Sequence, residues 1–160
     1  MFTTKNGVNV VVSKETMEHM KAHTGVDVNH IKEAVARIEY NGPFFMEEVD
    51  LKKTIGKDNC VPTVPGDDVR LLYRKGRKGR TPIVFNKEAE DTSIIVIGIC
   101  DDDENDNIPT LFTAFYGRKA PREPWDAKTE EEKDSSMVFW TTHALVYNPD
   151  ELDEERNSSL

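Results

Sequence analysis

Residues 93–117 read SIIVIGIC DDDENDN IPTLFTAFYG, and the reading of this stretch decides the fold. Ile94 to Cys100 is dense in Ile and Val. It is far shorter than the roughly 20 apolar residues of a membrane span and has the length and composition of a buried strand. Asp101 to Asn107 is polar throughout and predicts a loop, and Thr110 to Tyr116 is β-rich again. Working towards the N-terminus, Phe44–Leu51, Cys60–Val64, Val69–Tyr73 and Pro82–Phe85 have the same short, β-rich character. Pro65-Gly66-Asp67-Asp68 and Lys75–Gly79 separate them with turn chemistry.

The first 43 residues differ. Gly7–Val12 suits a short strand, and Ser13 is an N-cap candidate for a helix through about His23. Gly25 and Asp27 break that helix, and Ile31, Ala34, Val35 and Ile38 then predict a second one over 28–40, ended by Asn41-Gly42-Pro43. After Gly117 the chain reads as a surface connection with one helical turn near Thr129–Asp134. Met137–Tyr147 is apolar again and returns to the core as strand or helix. The expectation is an α+β fold, with two N-terminal helices packed on a curved, mainly antiparallel β-sheet. Residues 1–148 form a single domain, and 149–160 form a frayed acidic tail.

A chain of 160 residues and 18.2 kDa can bury a core without disulfides or metals. With 37% hydrophobic and 32% charged residues it is neither a membrane protein, nor collagen-like, nor a disulfide scaffold. Cys60 and Cys100 belong to no CxxC pattern and read as reduced thiols. The start, MFTTKNGVNVVVSKE, has neither the charged opening nor the apolar run of a secretory leader, so a cytoplasmic location is expected.

A net charge of -9 argues against a general nucleic-acid coat. The distribution says more. Residues 70–80, RLLYRKGRKGR, hold six of the 21 Lys and Arg and no acid. Arg70 and Arg74 share strand parity, and Arg77, Lys78 and Arg80 crowd the turn. Two readings stand beside each other: an edge hairpin guarded by charge, and a phosphate clamp built on guanidinium geometry. The acids gather at 101–107, 130–134 and 150–155, as solvated loops or as a surface for a protein partner.

His19 and His23 lie four apart and share one face of a helix. They read as surface histidines, as two ligands of a metal, or as acid–base groups. No HExxH, P-loop, dinucleotide fingerprint or nucleophile elbow is present, so neither metal nor cofactor is expected. Thr113 falls in a strand expected to place Leu111, Thr113 and Phe115 on one face, with Tyr116 at its end. His143 follows the aromatics Phe139 and Trp140 and reads as an interior histidine or a further acid–base group.

A helix carrying HxxxH, a second helix bearing Ile31 to Ile38, a strand with Arg74, the run Ile94–Ile99 and the late Thr113-Ala114-Phe115 form a pattern. It resembles the barnase–EndoU–colicin–RelE-like ribonucleases, in particular their phage and polymorphic-toxin branch. The resemblance covers about residues 8–120 and implies metal-independent cleavage of RNA. A base takes the proton of a ribose 2'-hydroxyl, which attacks phosphorus, and an acid protonates the leaving oxygen. By this resemblance His19 or His23 is the acid–base residue, Arg74 holds the phosphate and Thr113 orients it; Arg70, Arg77, Lys78, Arg80 and Tyr116 are expected along the RNA. The acidic balance departs from the usual basic ribonuclease. It supports a rival reading, an acidic binding or inhibitor protein such as an immunity factor, antitoxin or nucleic-acid mimic.

Overall fold

Because apolar side chains dominate the middle of the sequence, strand pairing there sets the architecture. The computed structural model describes residues 1–160 apart from the side chain of His23. In chain order the elements begin with β1 (Phe2–Thr3), β2 (Asn9–Val10), α1 (Lys14–His23), α2 (Val28–Val35) and β3 (Phe44–Asp50). Next come β4 (Gly56–Asp58), β5 (Cys60–Pro62), β6 (Val69–Tyr73), β7 (Arg80–Val84) and β8 (Glu90–Thr92). The series ends with β9 (Ile94–Asp102), β10 (Ile108–Tyr116), α3 (Glu130–Thr142), β11 (His143–Val146) and α4 (Glu154–Asn157). The class is α+β. Among the described residues no helix is long and apolar enough to cross a membrane. Packing divides the chain into unit 1, residues 1–58 with 91–119, and unit 2, residues 59–90 with 120–160.

In unit 1 the strands run β10-β9-β3, antiparallel at both junctions. Ile95, Ile97 and Ile99 of β9 are fully buried together with Leu111 and Ala114 of β10. Ile31, Ala34 and Val35 of α2 and Met20 of α1 complete the same cluster. Both helices start where a cap is available: Ser13 Oγ accepts from Thr16 N–H, and Asp27 Oδ1 accepts from Asn29 N–H. The second helix ends at Val35, five residues short of the expected Tyr40. Arg37 and Ile38 donate to Ala34 and Val35 oxygens in tighter turns, which still bury Ile38 and Tyr40. A bulge between Leu111 and Thr113 corrects the expected parity of β10. Phe112 is the extra residue, so Leu111 faces the core opposite Ile99 while Thr113 sits on the other face opposite Gly98.

The sheet of unit 2 runs β5-β11-β7-β6, with β11 parallel to β7 and the other pairs antiparallel. Its hairpin β6–β7 forms as the sequence indicates, and β6 is an edge strand. The expected single helical turn is a 13-residue helix, α3, capped by Thr129. Met137–Tyr147 resolves into the second half of α3 followed by β11. Residues 149–160 are acidic, but they are held and not frayed. Leu152 is buried and bridges Arg74, and the Asn157 side chain bonds both N–H and C=O of Tyr73. An amide side chain carries both a donating NH2 and an accepting oxygen and can satisfy the open edge of β6 with both.

Candidate functional site

Arg74 stands just past the end of β6, where its backbone forms an antiparallel bridge to Leu152. Its Nη2 donates to Glu123 Oε1 at 2.8 Å and its Nε to Thr81 Oγ1 at 3.1 Å. Thr81 is fully buried and donates to the same carboxylate. The Glu123 side chain is only 6% exposed and that of Arg74 19%. Trp125 Nε1 donates to Glu123 as well, and also to Arg80 O at 3.1 Å. A buried carboxylate must be charge-paired and hydrogen-bonded to remain ionised, and Arg74 supplies the charge. The expectation of a cationic hairpin without a compensating acid is therefore corrected at Arg74. The acid arrives from a loop 49 residues later.

Arg70 is likewise engaged, with Nε at 3.3 Å from Asp68 Oδ1 and its guanidinium 4.5 Å from the Phe85 ring centre. Arg77, Lys78 and Arg80 are exposed. His143 stacks on Phe139 with ring centres 4.0 Å apart and planes 4° apart, and its Nδ1 lies 3.1 Å from Phe139 O. That is a histidine satisfied at the junction of α3 and β11.

In unit 1, His19 is exposed on α1, the helix that packs on β10. The His23 side chain lies outside the described residues. Thr113 is half-buried on β10, and a side chain at Gly98 would come within 2.6 Å of it. Tyr116, expected only as an RNA contact, lies at the centre of a polar cluster. Its hydroxyl is 2.6 Å from His30 Nδ1 and accepts from Asp27 N–H at 3.0 Å. The two rings meet edge-on with centres 5.6 Å apart. Gly56 lies against the Tyr116 ring, where any side chain would collide with it. The hydroxyl has one proton and two lone pairs, so beside Asp27 N–H it can either donate to His30 Nδ1 or accept from it, according to the imidazole tautomer. Next to it, Asp58 accepts from Arg118 N–H and Nε, the latter at 2.8 Å, and Gly117 leaves room for that carboxylate.

Neither a protein-family model nor a curated protein sequence matches this chain. The fold has a counterpart among solved structures. This counterpart is described as a conserved hypothetical protein from Toxoplasma gondii, and it is similar at a TM-score of 0.59 and 11% identity over 92% of this chain and 98% of that one. At that identity the likeness concerns the fold alone.

Other polar groups are less suited to chemistry. Tyr40 donates to Asp101 at 2.8 Å, and burial, reinforced by that carboxylate, pushes its phenol up from the ordinary value. Burial and then Asp102, Asp101 and Asp103 raise the Cys100 thiol, which disfavours the thiolate a nucleophile needs. Among the described residues no group of three or more His, Cys, Asp or Glu is placed to hold a metal ion. Sequence reasoning missed His30 and Glu123. His30 sits beside Ile31 on α2 with no spacing motif of its own, and Glu123 is one acid in a proline-bracketed loop. Burial is the signal for Glu123, and burial is not written locally.

Proposed function

We propose that this chain is a ribonuclease-like protein that cleaves RNA without a metal, in the manner of the barnase–EndoU–colicin–RelE-like enzymes it resembles. In this reading the two N-terminal helices and a curved unit 1 sheet form the catalytic half, and the protein works in the cytoplasm. The carrying observation is the His30–Tyr116 pair, an imidazole held in orientation at the C-terminal end of β10. An imidazole held at one nitrogen can pass a proton at the other. One histidine takes the 2'-hydroxyl proton as that oxygen attacks phosphorus; the other gives a proton to the departing 5'-oxygen. His30 and the exposed His19 are the two imidazoles; Thr113, on the opposite face of β10, has no part in the reacting centre. Arg74 leaves the reacting centre in this account, because Glu123 already holds it.

The test is cleavage of end-labelled mixed RNA in EDTA, with the products examined for 2',3'-cyclic phosphate ends. His30→Ala is expected to lose about 10²- to 10⁴-fold in rate at unchanged fold, and Tyr116→Phe less. Wild-type protein that leaves RNA intact under every metal-free condition would sink the proposal. It would put forward the acidic binding or inhibitor protein, a reading that the neutralised Arg74 favours.

A further inference from the structure

Unit 2 carries a second surface whose residues the proposed chemistry does not use. The indole of Trp125 packs against Gly79, at a place where any side chain would run into the ring. Its Nε1 is tied to Arg80 O and to the Glu123 carboxylate, so the ring is fixed both in position and in plane. Even so, Trp125 is 37% exposed and lines an open groove with Pro124, Lys128, Glu130 and Lys133. On the Gly79 side the chain continues into the hairpin turn that carries Lys75, Arg77, Lys78 and Arg80, all exposed. Among the described residues these four cations, Lys128 and Lys133 make no ion pair, in contrast to Arg70 and Arg74.

A rigid aromatic face among unpaired cations suits a polymer of alternating flat rings and negative charges. We propose that this surface binds single-stranded nucleic acid, with one base stacked on Trp125 and neighbouring phosphates held by the hairpin cations, Lys128 and Lys133. Stacking needs no sequence-specific hydrogen bonds, so the preference is for an unpaired strand and not for a sequence. Pre-orientation of the indole by Glu123 spares the ring an ordering cost on binding. Glu130 lines the groove, Asp126 and Glu131 are exposed on the same segment, and Glu132 accepts from Lys128 N–H at 2.8 Å; these acids oppose the phosphates and keep affinity moderate, and the cation contacts make it strongly salt-dependent. The inference rests on the ribonuclease reading only in naming RNA as the natural occupant.

The experiment therefore uses a labelled thymidine dodecamer of DNA, which lacks the attacking 2'-hydroxyl, so binding and cleavage can fail separately. Anisotropy at about 50 mM salt should show binding that quenches tryptophan fluorescence and weakens steeply as salt rises. Trp125→Ala should weaken binding by about 5- to 150-fold, the usual worth of one stacked base. Trp125→Phe, which keeps a flat ring, should retain most of the affinity. Trp125→Ala also removes a donor from Glu123, so a second variant that cannot disturb the core is included. Lys128→Ala/Lys133→Ala should lower the slope of log affinity against log salt by about 1.4. Equal binding by wild type and a folded Trp125→Ala would overturn the proposal. So would an unchanged salt slope in the double variant, or no binding at about 100 µM protein. Inorganic polyphosphate that competes fully while causing the same quenching would overturn the stacking role. Loss of RNA cleavage with intact dodecamer binding would count against the ribonuclease reading alone.

Discussion

The two units are held together by different physics. Unit 1 buries a continuous cluster of sixteen residues among those described, nearly all aliphatic, with β9 at its centre. In unit 2 the corresponding cluster is Val61, Val84 and Ala144 with Val146 against it, and the chain there instead buries an ionic network of Arg74, Glu123 and Thr81. Apolar burial is non-directional and degrades gradually when a methyl group is lost. A buried ion pair is directional: intact, it offsets its own desolvation, but with one partner removed it leaves a stranded charge. The small unit thus depends on a few exact partners, whereas the large one depends on area.

The contrast can be broken most forcefully at Glu123. Glu123→Ala strands Arg74 and removes acceptors from Thr81 and Trp125 at once, and should destabilise unit 2 by about 3–5 kcal/mol. Arg74→Lys, which keeps the charge but not the two-pronged reach, should fall between this and wild type. Amide hydrogen exchange is the deciding measurement: protection should collapse over β6, β7 and β11 and persist in β9 and β10. Uniform loss in both units would show that the network is not local to unit 2. A milder probe is Ile97→Val in the fully buried centre of β9. It should cost about 0.5–1.5 kcal/mol in a denaturant melt, and a loss above that range would mean that unit 1 is as intolerant as unit 2.

The smallest effect concerns acid. Asp50 is held down to about 2, first by the Lys52 backbone N–H, then by the Ser93 and Lys52 side chains. A carboxyl depressed in the folded state stabilises it above the unfolded value near 3.9 and ceases to do so as pH falls through the folded value. The wild-type advantage over Asp50→Asn should therefore shrink between about pH 4 and 2. Melts of both proteins across that window test it, and a constant difference would refute the assignment.

Unit 1 was also the more legible half. The aliphatic density of Ile94–Cys100, the cap at Ser13 and the apolar spacing of Ile31, Ala34 and Val35 are local signals, and the elements they announce exist; Asp27 reads only as a helix breaker, and its role as the second cap is a finding of the structure. The bulge at Phe112 was not announced, because an extra residue in one strand is set by the register of its partner. In unit 2 the β6–β7 hairpin was legible from its turn chemistry, yet α3 was read as a single turn. Its first half is so acidic and polar that only Ser136 and Trp140 are buried. The tail read as frayed because nothing in its composition tells that Asn157 meets Tyr73, 84 residues away.

By itself the sequence determined the α+β class, the strand-rich middle, the capped start of the first helix and a cationic turn on an acidic chain, because each depends on residues within a few positions of one another. Tertiary structure alone decided which of those cations are spent and which remain available. It closed Arg74 with an acid 49 residues distant and joined His30 to Tyr116 across 86. It also laid Trp125 on Gly79 beside the cations left open. The physical reason is that a charge or a hydroxyl acquires its role from the partner and the burial it meets, and both are fixed only when distant segments pack.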